Sequence, residues 1–230
     1  PYIRHGQDCR CAGSRSRGSG VRKRNAKRHC CVRHIWITLH IPQLRKAALM
    51  AHTSAHVAHT LTRHIDEVFG LMGNGNAHFL DALLTTTSAT YTPVRHEAGA
   101  VVAADAHFRT SGRLAAATTT YGAGFTNTLT ALAEAAQAKV PLVLVVGDEP
   151  TSGPRPWDVD QIAMASAVGV RTYTVGRVDA AAATVTAIEH ALTYRVPVVL
   201  AIPYDVATLE IGEIPDVPGL ERVHPWPRTA

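Results

Sequence analysis

Pro141-Leu142-Val143-Leu144-Val145-Val146-Gly147 and Val196-Pro197-Val198-Val199-Leu200-Ala201-Ile202 are apolar on consecutive residues. A strand with one wet face alternates apolar and polar side chains. A run without alternation has to be buried on both faces, which is the condition of an interior strand in a parallel sheet. Residues 68–71, 91–94, 114–118 and 171–175 are short and rich in Val, Thr, Leu and Tyr, and they read as four further strands. Between the strands, residues 55–63, 97–110, 124–139, 160–168 and 179–194 are rich in Ala, with apolar residues at i, i+3 and i+4. This alternation predicts an α/β fold, a doubly wound parallel sheet with helices on both faces. Such sheets bind ligands beyond the carboxyl ends of their strands. The loops opening at Gly73, Arg95, Thr119, Gly147 and Pro203 are therefore expected to share one functional rim.

The 230 residues suit one domain with an extension, and charge shows where the extension lies. Twelve of the 23 Lys and Arg residues precede Met50, against Asp8 as the sole acid, so residues 1–49 carry about +11 and residues 50–230 about −6. All four cysteines, Cys9, Cys11, Cys30 and Cys31, also precede Met50. The rest of the chain is thus no disulfide-stapled secreted domain, and a reducing, cytoplasmic setting is expected. Residues 10–33 are rich in Arg, Ser and Gly without apolar periodicity, and read as a disordered basic arm.

Three functions compete for that arm. Cys9, Cys11, His29, Cys30, Cys31 and His34 could ligate zinc, although adjacent cysteines depart from the usual Cys-x2-4-Cys spacing. The arginines could bind nucleic acid, although no aromatic platform is interleaved with them. An acid-poor, Arg/Ser-rich presequence would serve organelle import. The change of composition at Met50 favours a fourth reading, that residues 1–49 are upstream sequence outside the working protein. Residues 50–207 are expected to form the globular domain. Pro215, Pro218, Pro225 and Pro227 mark 208–230 as a linker to a missing C-terminal region. No apolar run reaches the 18 to 20 residues or so of a membrane span, and neither membrane nor nucleic-acid partners are expected.

Three loops carry candidate chemistry. Gly70-Leu71-Met72-Gly73-Asn74-Gly75-Asn76 follows the first strand and demands close backbone approach. Arg95-His96-Glu97-Ala98-Gly99-Ala100 places an acid in the first turn of a helix, where by itself it complements the helix dipole. Tyr121-Gly122-Ala123-Gly124-Phe125-Thr126-Asn127 has a partial dinucleotide fingerprint in which Asn127 replaces the third glycine. Singly these loops say "turn", "cap" and "turn".

In order along one chain, Val68-Phe69-Gly70-x-x-Gly73, Asp81-Ala82-Leu83, Arg95-His96-Glu97-x-Gly99-Ala100, Gly122-x-Gly124-x-Thr126-Asn127 and Val140-Pro141-Leu142 resemble the N-terminal, pyrimidine-binding domain of thiamine diphosphate enzymes. The likeness covers about residues 55–207 and is nearest to the acetolactate synthase and 2-oxoacid decarboxylase branch. The resemblance implies that Glu97 hydrogen-bonds the pyrimidine N1′ of the cofactor. It implies that Gly73, Gly75, Gly122 and Gly124 let backbone approach the ring, and that Asn127 braces a helix start. The branch usually carries Phe-Gln in a substrate loop, where this chain reads Trp157-Asp158-Val159-Asp160-Gln161, so Trp157 and Gln161 are the substrate-loop candidates. The family holds the diphosphate through Mg²⁺ on a separate C-terminal domain with a Gly-Asp-Gly motif, which Gly147-Asp148-Glu149-Pro150 does not match. The expected entity is therefore half a cofactor site of a 2-oxoacid carboligase or decarboxylase, completed by a second copy or by a separate diphosphate-binding subunit. The competing readings are a non-catalytic assembly module and a nucleotide-binding oxidoreductase using Gly122 and Gly124.

Overall fold

The structure, a computed structural model, describes residues 51–217. The basic arm, its cysteines and the end of the Pro-rich stretch lie outside the described residues. Six strands form one sheet: β1 (Glu67–Gly70), β2 (Thr90–Pro93), β3 (Ala116–Thr119), β4 (Leu142–Asp148), β5 (Arg171–Thr174) and β6 (Pro197–Pro203). Every pairing is parallel, in the order β2-β1-β3-β4-β6-β5. The two consecutive apolar runs are β4 and β6, neighbours in the interior whose seven residues are each buried. The edge strands β2 and β5 contain no fully buried residue, as their Thr, Tyr and Arg content allows.

The helices are α1 (Thr53–Leu61), α2 (Ala77–Thr86), α3 (Glu97–Ser111), α4 (Ala123–Thr126), α5 (Leu129–Gln137), α6 (Gln161–Ala167) and α7 (Ala180–Tyr194). They divide between two cores. Val143, Val145, Val198 and Leu200 face α1, α2 and α7, with Leu61, Phe79, Leu83 and Ile188. Leu142, Leu144, Val146 and Val199 point the other way, to Val101 of α3, Phe125, Leu132 of α5 and Ala165 of α6. One strand feeding both cores is the physical reason its sequence cannot alternate.

Two elements differ from the sequence reading. Helix α2 was not expected, because Asn76 gives it no side-chain cap and a threonine run closes it. Thr85, Thr86 and Thr87 return their hydroxyls to the carbonyls four residues earlier, and the buried Phe79, Leu80, Ala82 and Leu83 hold the helix in the core it shares with α1. The single helix expected over 124–139 is two, broken at Asn127-Thr128, where the Thr128 hydroxyl donates to the Phe125 carbonyl at 2.6 Å. Part of the stretch read as linker is also tied down: Thr53 N–H donates to Leu209 O, Ala51 N–H to Gly212 O, and His52 bridges Glu210 antiparallel.

Candidate functional site

Because all six strands are parallel, the loops after β1, β2, β3, β4 and β6 open on one edge of the sheet. The chain leaves β1 toward β2 on one side, and β3 lies on the other. That reversal is where a doubly wound sheet opens a crevice.

The loop after β1 is built around Asn76, which is buried and was given no role from the sequence. Its Oδ1 accepts from Gly73 N–H at 2.8 Å, and its Nδ2 donates to Leu71 O at 3.2 Å and to Thr118 Oγ1 at 3.0 Å. Gly75 N–H donates to Thr120 Oγ1 at 3.0 Å. A Cβ on Gly73 would press on the Thr120 side chain at 2.7 Å, one on Gly75 on the Tyr121 ring at 2.5 Å, and one on Gly147 on the Gly75 backbone at 2.6 Å. These glycines therefore seat the β1 loop against β3 and β4.

Glu97 opens α3 at the carboxyl end of β2, half-buried, after the His96 Nδ1 cap accepts from Ala98 N–H at 3.2 Å. Asn127, thirty residues on and beyond β3, donates Nδ2 to Glu97 Oε2 at 2.9 Å. Gly124 faces the other carboxylate oxygen: a Cβ there would lie 3.5 Å from Glu97 Oε1, 3.0 Å from Thr119 Oγ1 and 2.6 Å from Thr120 Cγ2. Thr119 Oγ1 is buried and has no hydrogen-bond partner. Glu97, Gly124 and Asn127 thus converge so closely that no side chain fits at position 124, beside an orphaned hydroxyl. Gly122 sits at φ +63°, ψ −126°. It is closed over by the Trp157 carbonyl, which a Cβ would overlap. Helix α4 beyond it is one turn long, unlike the long crossover helix that receives a dinucleotide pyrophosphate.

The substrate-loop candidates differ in exposure. Trp157 is 76% exposed. Gln161 is buried, donating Nε2 to Asp148 Oδ1 at 2.6 Å and to Gly147 O at 3.0 Å, while its Oε1 has no partner. Burial pushes the Asp148 carboxyl above its ordinary range, and the Gln161 and Glu149 N–H donors counter this only in part. The folded chain then keeps the Asp148 proton to higher pH than the unfolded chain does. This group consequently favours the fold at acid pH, and that contribution is lost as pH rises from the ordinary Asp value of about 3.9 through the raised folded value. Wild-type stability relative to Asp148→Asn is expected to fall across that window, as read by urea unfolding midpoints. A difference constant with pH would contradict the assignment.

Among the described residues, no group of three or more His, Cys, Asp or Glu side chains is placed to hold a metal ion, and no helix is long and apolar enough to cross a membrane.

Residues 51–164 match the family described as "Thiamine pyrophosphate enzyme, N-terminal TPP binding domain". The chain is 31% identical over 172 residues to acetolactate synthase of Arthrospira platensis, covering 71% of this chain and 30% of that protein. It is 30% identical over 168 residues to the acetolactate synthase large subunit of Lactococcus lactis subsp. lactis, covering 70% and 28%. A shorter match, 54% identical over 54 residues, is to 2-hydroxyacyl-CoA lyase 2 of Xenopus laevis, covering 24% and 8%. The chain thus spans under a third of the length of the curated relatives it matches. With the parallel sheet and the Glu97 cluster on its rim, these matches show that the chain belongs to the thiamine pyrophosphate enzymes, as an N-terminal domain of their acetolactate synthase branch.

Proposed function

We propose that this domain is the pyrimidine half-site of a thiamine diphosphate-dependent 2-oxoacid carboligase or decarboxylase, with Glu97 as its catalytic residue. The observation that carries this reading is the convergence of Glu97, Asn127 and Gly124 from two strands that flank β1. When bound, thiamine diphosphate supplies a thiazolium carbanion able to add to the carbonyl of a 2-oxoacid. Asn127 fixes the Glu97 carboxylate through Oε2 and leaves Oε1 on the side of Gly124. With the cofactor bound, the Glu97 carboxyl would share a proton with the pyrimidine N1′ and so favour the ring's imino form, in which the exocyclic nitrogen has given up one proton and can accept another, at a value of roughly 10²- to 10⁴-fold in rate. Gly124 keeps the wall thin enough for the ring, and the Thr119 hydroxyl is available for a hydrogen bond.

The diphosphate and Mg²⁺ are assigned to a second, C-terminal domain, in the same longer protein, in a second copy or in a separate subunit. The setting is assigned as cytoplasmic, and the segment from the exposed Trp157 to the buried Gln161 as the substrate loop. Isothermal titration of thiamine diphosphate with Mg²⁺ tests the half-site. Little heat is expected from this chain alone, and saturable binding once the C-terminal domain of an acetolactate synthase relative is supplied in trans. Tight binding or turnover by this chain alone would overturn the half-site.

A further inference from the structure

Residues 149–160, between β4 and α6, cross over the Gly122 turn and are fastened at their middle by Arg155. Arg155 lies over the Tyr121 ring, 4.0 Å from its centroid, and under the Tyr204 ring at 4.4 Å. Tyr121 belongs to the loop after β3, and Tyr204 follows β6, so the guanidinium joins three loops of the rim. Its Nε and NH2 edge is taken up by one carboxylate. Nε and NH2 donate as a fork to Asp158 Oδ2 and Oδ1 at 2.9 and 2.8 Å, and the backbone N–H of Arg155 donates to Oδ2 at 2.7 Å. The Asp158 side chain is 2% exposed, and its pairing with Arg155 holds its carboxyl below the usual range. At the other end of the segment Thr151 donates N–H and hydroxyl to Asp205 at 2.9 and 2.5 Å.

What the fastening presses down is the Trp157 carbonyl, two residues from Arg155, which sits where a side chain on Gly122 would be. Gly122 starts the one-turn helix α4, whose Gly124 faces Glu97 Oε1 and at whose end Asn127 holds Glu97 Oε2. A planar cation can stack on two rings and fork to a carboxylate at once. A lysine ammonium offers one point charge and no fork.

We infer that Arg155 is a positioning residue: sandwiched between Tyr121 and Tyr204, it latches residues 149–160 onto the Gly122 turn and so sets the height of Gly124 and Asn127 against Glu97. The latch itself rests on observed contacts, and only its consequence for cofactor binding rests on the functional reading of Glu97.

Amide hydrogen exchange on the full chain without ligand tests the latch directly, with the amides of β4 and β6 as an internal reference for folding. Arg155→Met is expected to speed exchange at Gly122–Asn127 by roughly tenfold while β4 and β6 stay protected. Tyr204→Ala should do the same, Tyr204→Phe should match wild type because the ring remains, and Arg155→Lys should fall between. In the assembly with the diphosphate-binding domain, Arg155→Met should raise the KM for thiamine diphosphate by a similar factor and leave kcat less changed. Unchanged exchange at Gly122–Asn127 in Arg155→Met overturns the latch. Faster exchange with an unchanged cofactor KM, in an assembly that Glu97→Gln impairs, overturns the positioning role. Faster exchange in an assembly that Glu97→Gln does not impair upholds the latch and overturns the reading of Glu97 alone.

Discussion

Glu97→Gln is expected to cost the assembled enzyme about 10²- to 10⁴-fold in kcat while leaving the fold intact. Asn127 Nδ2 can still donate to the amide oxygen of the replacement, so the bridge between the loops after β2 and β3 survives. What is lost is the carboxyl group's ability to exchange a proton with the ring nitrogen. An amide neither takes nor releases that proton near neutral pH, so the loss should fall on turnover and leave the thermal midpoint in place. Unchanged turnover would move the chain to the other class considered, an assembly module that has kept the fold without the chemistry.

Gly122→Ala should destabilise the domain by roughly 2 to 6 kcal/mol. Two terms add. The backbone at φ +63°, ψ −126° lies in a region nearly confined to glycine, at a cost on the order of 1 to 3 kcal/mol. The new methyl also meets the Trp157 carbonyl oxygen, a backbone atom that the Arg155 latch prevents from yielding, for about 1 to 3 kcal/mol of overpacking. The drop is to be read from urea midpoints at fixed pH. If the segment can lift, Gly122→Ala in an Arg155→Met background should cost less than in wild type, because one relaxation is then shared.

The interior strands were legible because burial on both faces leaves a composition signal: the runs at 141–147 and 196–202 could be placed at the sheet centre before any coordinate was known. Helix α2 was not, since its hold comes from Phe79, Leu80 and Leu83 packing in the core beside α1 and its ends carry no capping chemistry. The break at Asn127-Thr128 escaped for a related reason: a continuous apolar period conceals a turn made by one hydroxyl. Glu97, Gly124 and Asn127 were each visible as residues in an ordered motif set. Their contact was not, because it joins loops thirty residues apart across β1. Asn76 could have been suspected, as an amide closing a Gly-x-Gly turn, whereas Arg155 between two tyrosines has no local signature. All four motif glycines face protein atoms within their own loops or neighbouring ones, a purpose that a list of glycines cannot separate from ligand approach.

On the proposed function, the Glu97 carboxyl meets the pyrimidine ring. The measurement that reaches it most directly is the separation between Glu97 Oε1 and N1′ in a crystal structure of this domain assembled with a diphosphate-binding partner, Mg²⁺ and thiamine diphosphate. A heavy-atom distance of about 2.6 to 3.2 Å is predicted. A cofactor seated on the rim with Glu97 turned from the ring, and another carboxylate at N1′, would contradict the account.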